Sequence, residues 1–130
     1  MGLTILVADD DADIVRLISR AAVARGHKAL EATDGAQAMG LAIAEKPDAV
    51  TLDIMMPRLD GRDVISRLKK DPATSRAAVI ILTAVEDAYT RELCFEYGAD
   101  DYILKPFDVN NLFVKIERAV AKAKGGPTKG

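Results

Sequence analysis

The chain has one cysteine, one histidine and no tryptophan in 130 residues, and only 5% of it is aromatic. The lone cysteine, Cys94, excludes an internal disulfide framework and suits a reducing cytoplasm. No apolar run approaches the roughly 18 residues needed to cross a bilayer, so no membrane association is expected. The start "MGLTILVADDD" lacks a charged leader region and enters a strand pattern at once, so it does not read as a signal peptide. Leu6 occupies the position where a myristoylation signal needs Ser or Thr. Neither internal repeats nor a strong charge of one sign is present. The net charge of −2 gives the whole domain no attraction to nucleic acid.

What is present is an alternation. Five short apolar runs, Leu3 to Ala8, Lys28 to Ala32, Ala49 to Leu52, Ala78 to Leu82 and Asp101 to Leu104, are separated by stretches with helical periodicity. Ile14, Leu17, Ile18 and Ala21 form one i, i+3, i+4, i+7 stripe, and Leu112, Phe113, Ile116 and Val120 form another. Ala38, Leu41 and Ala42 mark a helix opened by Asp34 and stopped by Pro47. Val64, Ile65 and Leu68 mark a helix ending near Asp71-Pro72, and a further one runs from about Asp87 to Tyr97 and stops at Gly98. The first, third and fourth runs are apolar nearly throughout. That predicts strands covered on both faces, hence a parallel sheet between helices. The expected fold is α/β, a doubly wound (βα)5 domain over residues 1–124, with a flexible tail or linker stub at 125–130.

Four of the runs are followed directly by polar side chains: Asp9, Asp10 and Asp11, then Asp53, Thr83 and Lys105. In a parallel sheet all C-terminal strand ends share one edge, where open α/β sheets bind ligands. One pocket with at least three carboxylates, a hydroxyl and an ammonium is therefore expected. Two like charges ~5 Å apart at an effective dielectric of ~20 repel by about 3 kcal/mol. A hard divalent cation relieves that strain, and Mg²⁺ suits an all-oxygen set that leaves room for water and phosphate. No His or Cys lies nearby in sequence, which argues against zinc. Lys105 would supply positive charge to a phosphoryl group, Thr83 a small neutral donor, and Asp53 a nucleophile able to form an aspartyl phosphate. Asp11 or Asp13 also suits the N-cap of the first helix. His27 is expected at the surface, at the opposite end of the sheet, and Cys94 and Met56 are expected to pack in the interior.

The motifs "ILVADDD", "LDIMMPRLDG", "IILTA" and "GADDYILKPF" resemble, in order and spacing, the receiver domain of two-component response regulators, over about Leu3 to Lys122. The resemblance implies the flavodoxin-like strand order 2-1-3-4-5. It also implies a Mg²⁺ site (Mn²⁺ being possible) made by Asp9, Asp10, Asp53 and the Met55 backbone carbonyl. Asp53 becomes the phosphoacceptor, Lys105 the phosphoryl-binding lysine, Thr83 the switch hydroxyl and Tyr102 the switch aromatic. Lys105-Pro106 should be a cis peptide. A histidine kinase or histidine phosphotransfer protein would be the donor, and a downstream protein or fused output domain the target. Signalling, and a possible homodimer, would use the helix 4–strand 5–helix 5 face, with Tyr102 rotating inward on phosphorylation. Such a domain is cytoplasmic, does not bind nucleic acid itself, and catalyses only its own phosphorylation and dephosphorylation. Met55 and Val85 stand two residues after Asp53 and Thr83. Neither can orient an attacking water, so slow loss of the phosphoryl group is expected.

Rival readings have their own requirements. A phosphatase of the haloacid dehalogenase type needs a second aspartate where Met55 stands. A nucleotide or flavin module needs glycines after the first strand, where this chain has "DDDAD". A degenerate receiver that only binds partners would have lost one or more of the site side chains, and all are present.

Overall fold

The computed structural model describes residues 2–56 and 60–123. The expected tail at 125–130, the domain end at 124 and the turn residue Pro57 lie outside them. The elements run β1 (Thr4–Ala8), α1 (Ala12–Ala24), β2 (Lys28–Ala32), α2 (Gly35–Glu45), β3 (Ala49–Leu52), α3 (Gly61–Lys70), β4 (Ala78–Thr83), α4 (Ala88–Tyr97), β5 (Asp101–Leu104) and α5 (Val109–Ala123). All strand pairs are parallel, in the order β2-β1-β3-β4-β5. The doubly wound fold and its order are thus as expected, and the chain direction across the sheet reverses between β1 and β3.

Strand burial follows from position. Every residue of β3 and β4 is buried, as the central strands of a covered parallel sheet must be, whereas the edge strand β2 exposes Lys28 and Glu31. Alternate side chains feed two cores. Leu6, Val50, Leu52, Val79 and Ile81 pack with Ala38, Ala42, Val64, Ile65, Leu68 and Cys94, so α2, α3 and α4 cover one face. Ile5, Val7, Ile80 and Leu82 pack with Val15, Ile18, Ala22, Leu112, Phe113 and Ile116, so α1 and α5 cover the other. Each such aliphatic side chain contributes roughly 1.5–3 kcal/mol by leaving water.

Aspartates open all five helices, Asp108 serving α5 by accepting the Asn110 N–H at 3.0 Å. Asp11, Asp34, Asp60 and Asp87 each accept a backbone N–H in the first turn of α1, α2, α3 and α4. Between Asp11 and Asp13, the cap is Asp11. Gly98 ends α4 at φ +120°, a left-handed conformation that side chains avoid.

Two expectations shift. The α1 stripe was expected at Ile14, Leu17, Ile18 and Ala21, but the buried residues are Val15, Ile18, Ser19 and Ala22, while Leu17 is half exposed. The helix is apolar on more than one side, so the fit against β1 and β2, rather than periodicity, decides its rotation. His27, expected at the surface, has a side chain that is only 7% exposed. Its Nδ1 accepts the Leu3 N–H at 3.0 Å, its Nε2 faces Glu117 Oε2 at 3.3 Å, and its ring stacks on Phe113 with centroids 6.1 Å apart. Arg25 lies over the same Phe113 ring and also meets Asn110. The imidazole therefore ties the entry of β1 to α5, a long-range contact that local sequence does not announce.

Because Leu3 donates to Nδ1, the ring proton must sit on Nε2. Imidazole-nitrogen NMR at neutral pH is expected to show the Nε2–H tautomer. Replacing His27 by Ala should cost about 1–3 kcal/mol in denaturant melts, since it leaves a backbone donor without its partner.

Candidate phosphoacceptor site

The sheet places the polar residues by extending its own ladder one step beyond the strands. Asp9 N–H donates to Ala32 C=O at 3.1 Å, Asp53 N–H to Ala8 C=O at 3.0 Å, and Lys105 N–H to Thr83 C=O at 2.9 Å. The backbones of β1, β3 and β5 are thereby fixed where their side chains emerge at one edge, at the reversal of strand order.

Asp9, Asp10 and Asp53 each offer a carboxylate oxygen, and these oxygens lie within 4.8 Å of one another. Asp9 and Asp53 are buried, at 2% and 5% exposure, and Asp10 is open to solvent. Lys105 Nζ bridges the buried pair, 2.7 Å from Asp9 Oδ2 and 2.8 Å from Asp53 Oδ2. Its aligned hydrogen bond goes to Asp53. Asp9 Oδ2 is held by its close ion pair with the same ammonium. The other oxygens are committed, Asp9 Oδ1 to Asp11 N–H and Asp53 Oδ1 to Met55 N–H.

The electrostatics follow from this crowding. Burial raises the Asp9 pKa above the ordinary carboxylate value, and Asp53 adds to it. Hydrogen bonding to Lys105 and to the Asp11 amide offsets only part of the rise. Burial would lower the Lys105 pKa, but hydrogen bonds and charge from Asp53 and Asp9 outweigh it, so the ammonium is held protonated. Three clustered carboxylates, with no His or Cys among them, fit a hard divalent cation.

Around this centre Thr83 is completely buried, and its Oγ1 takes only a long 3.4 Å contact from the Val85 N–H. Tyr102, 6% exposed, donates its hydroxyl to the Val85 carbonyl at 2.6 Å, and the Arg91 guanidinium sits 5.8 Å from its ring centroid. Its ring lies inward, where the Val85 carbonyl gives its hydroxyl a partner and the core on the α3 side receives it. The exposed Met55 side chain lines a shallow cleft of about 200 Å³ with Ile54, Asp60, Arg62, Val85 and Thr90. The Lys105-Pro106 peptide is cis. Two features went unread in the sequence, the Val85 peptide as a bridge between Thr83 and Tyr102, and Arg91 beside the Tyr102 ring. Neither leaves a signal in residue type, since one is backbone and the other an ordinary exposed arginine.

A family model described as the response regulator receiver domain matches residues 5–117. The chain is 38% identical over 112 residues to the DNA-binding dual master transcriptional regulator RpaA of Synechocystis, covering 86% of this chain and 46% of that one. It is 35% identical over 129 residues to the phosphate regulon transcriptional regulatory protein PhoB of Pseudomonas aeruginosa, covering 99% of this chain and 56% of that one. The chain thus spans about half the length of these curated relatives. Among solved structures it resembles a Francisella response regulator receiver domain, with a TM-score of 0.85, 30% identity, and coverage of 93% and 98% of the two chains. The chemotaxis response regulator CheY4 of Vibrio cholerae matches with a TM-score of 0.85 at 21% identity, covering 92% and 99% of the two chains, a likeness of fold alone.

The raised Asp9 pKa fixes the sign of one pH effect. A carboxyl that holds its proton more tightly when folded subtracts stability when ionised. The penalty shrinks as pH falls from neutral through the folded value toward the unfolded value near 3.9. In chelator at pH 7, Asp9→Asn should therefore melt above the wild type, and the gap should narrow as the pH is lowered into the carboxylate range. Thermal melts across pH read both outcomes.

Proposed function

The chain belongs to the response regulator receiver domain family, and on that premise we propose that it is the phosphoacceptor switch of a two-component system, with Asp53 as the residue modified. The observation that supports this best is the Lys105 ammonium, lying 2.7 Å and 2.8 Å from the buried carboxylates Asp9 and Asp53, at a cluster to which Asp10 adds a third.

In the proposed reaction a phosphohistidine of a kinase or phosphotransfer protein presents its phosphorus to an Asp53 oxygen. The new P–O bond forms as the N–P bond breaks, and the bonding pair returns to the imidazole of the donor. Lys105 Nζ already sits at Asp53 Oδ2 and can follow the charge onto the phosphoryl oxygens without crossing the site. Asp9, Asp10, Asp53 and the Met55 carbonyl would hold Mg²⁺, for which Mn²⁺ could substitute. When bound, the ion supplies positive charge that offsets the mutual repulsion of the acids and the charge of the phosphoryl group. Thr83, whose hydroxyl has only a long contact to Val85, would reorient its Oγ1–H toward a phosphoryl oxygen. The Val85 peptide, with its N–H on Thr83 and its C=O on Tyr102, would carry that movement to β5. Phosphorylation would favour the arrangement in which Tyr102 lies inward.

The output surface is proposed to be α4, β5 and α5, where Tyr89, Phe95, Leu104 and Val114 are exposed. It would serve a downstream protein or fused output domain, and a homodimer could form there. The relatives named as transcriptional regulators carry roughly as much chain again beyond the matched part. We place the domain in the cytoplasm, consistent with its single buried thiol. No helix among the described residues is long and apolar enough to cross a membrane. The domain is not read as an enzyme toward other substrates. The phosphatase alternative lacks its general acid, since Met55 stands where that aspartate is needed.

A small-molecule phosphodonor with Mg²⁺ should add one phosphoryl mass to the chain, and Asp53→Asn should abolish the adduct. Unmodified wild type under these conditions would refute the reading. Millimolar Mg²⁺ should also raise Tm. With Met55 and Val85 beside the site, the adduct should be long-lived. Met55→Asn combined with Val85→Glu should shorten its half-life about tenfold or more, read by mass spectrometry over time.

A further inference from the structure

The turn after β3 carries both Asp53 and Met55, and Ile54 lies between them. Asp53 Oδ1 is closed onto this turn by the Met55 N–H at 2.8 Å. The first residue of α3, Gly61, packs directly on the same turn. A Cβ on Gly61 would lie 2.4 Å from Ile54 Cα, 2.6 Å from its Cβ and 2.7 Å from its Cγ2. Carbon atoms in contact need about 3.5–4.0 Å, so any side chain here forces a separation of roughly 1 Å.

Which side would yield is decided by what stands behind each. The next turns of α3 bury Val64, Ile65 and Leu68, exposed at 0%, 0% and 1%, in the core. The start of the helix is also capped by Asp60, which accepts the Arg62 N–H at 2.9 Å and is gripped by the Arg62 side chain. Hydrogen bonding to Arg62 holds the Asp60 carboxyl below its ordinary pKa, so the cap stays charged. Ile54 is only partly buried against the same core. A collision at Gly61 is therefore relieved by moving the Asp53–Met55 turn.

We propose that Gly61 is a positioning residue for phosphoryl transfer. Its missing side chain lets α3 act as a backstop that sets where the Asp53 carboxylate and the Met55 carbonyl stand. The turn cannot relax away from β1 and β5, because Asp53 is pinned by its N–H to Ala8 at one end and α3 abuts Ile54 at the other. A displacement of about 1 Å at a reacting group can lower a rate about a hundredfold. This inference rests on the proposed function and deepens it. The glycine is required for close approach, not for an unusual backbone angle.

The test compares Gly61→Ala with Gly40→Ala, whose added Cβ meets nothing within 4 Å in the middle of α2. Two quantities are read for each, Mg²⁺ affinity by calorimetry with the metal alone, and the rate at which a small-molecule phosphodonor labels Asp53. Circular dichroism and Tm check the fold. Expected for Gly61→Ala is a Mg²⁺ Kd raised about tenfold or more and labelling slowed about tenfold to a hundredfold, in a chain that is still folded. Gly40→Ala should match the wild type in both. Wild-type affinity and rate in Gly61→Ala would overturn the inference while leaving the phosphoacceptor reading intact. Failure of the wild type to bind Mg²⁺ would sink the metal reading and this inference with it. Should Gly61→Ala not fold, the double variant Ile54→Gly with Gly61→Ala removes two of the three colliding atoms and puts the third, the Cα at 54, on a glycine backbone free to step aside. Recovery of fold and Mg²⁺ binding toward the level of Ile54→Gly alone supports the inference, and no recovery overturns it.

Discussion

One ammonium group between two buried carboxylates organises this molecule. Asp9 and Asp53 end neighbouring strands, and Lys105 reaches them from the far edge of the sheet. Without it the two acids would face each other in a poorly solvated pocket, and stripping the partner from a buried ion pair typically costs about 3–5 kcal/mol. With it, three strands that never pair with one another as a set are tied at their ends. One ammonium faces three carboxylates, so the pocket keeps an excess of negative charge that a cation can offset.

Much of this was legible in the residues because a parallel sheet turns sequence into geometry. Each apolar run ends where its strand ends or, for β4, one residue before, and all strand ends share an edge, so Asp9, Asp53, Thr83 and Lys105 could be brought together without any knowledge of contacts. The α5 stripe at Leu112, Phe113, Ile116 and Val120 was read at the correct rotation, because polar residues bound it on both sides. In α1 the apolar residues are spread more widely around the helix, and only the sheet beneath decides that Val15 and Ala22 go in while Leu17 stays half out. His27 was misread for a related reason. Its partners, Leu3 and Glu117, lie 24 and 90 residues away. Tyr102 was placed on β5 as expected, but its bond to the Val85 carbonyl engages a backbone atom and leaves no trace in residue type. Gly61 shows its importance only in the distance to Ile54, which no sequence pattern carries.

The two faces of the sheet are held very differently. On one side α1 and α5 share a continuous core, reinforced by the His27, Phe113 and Arg25 stack. On the other, α3 is anchored by Val64, Ile65 and Leu68, and Lys69 reaches across to Asp100 at 2.8 Å and to the Ala77 carbonyl.

Helix α4 itself contributes little to the core. Within α4 a single residue, Cys94, is buried, while Tyr89, Phe95 and Tyr97 point their rings toward water. The thiol is fully covered, and burial raises its pKa, so it is inert while the helix lies flat. An alkylating reagent reaches that sulfur only in the moments when α4 lifts from the sheet, which makes the chain's one cysteine a built-in clock for the breathing of its most loosely moored helix.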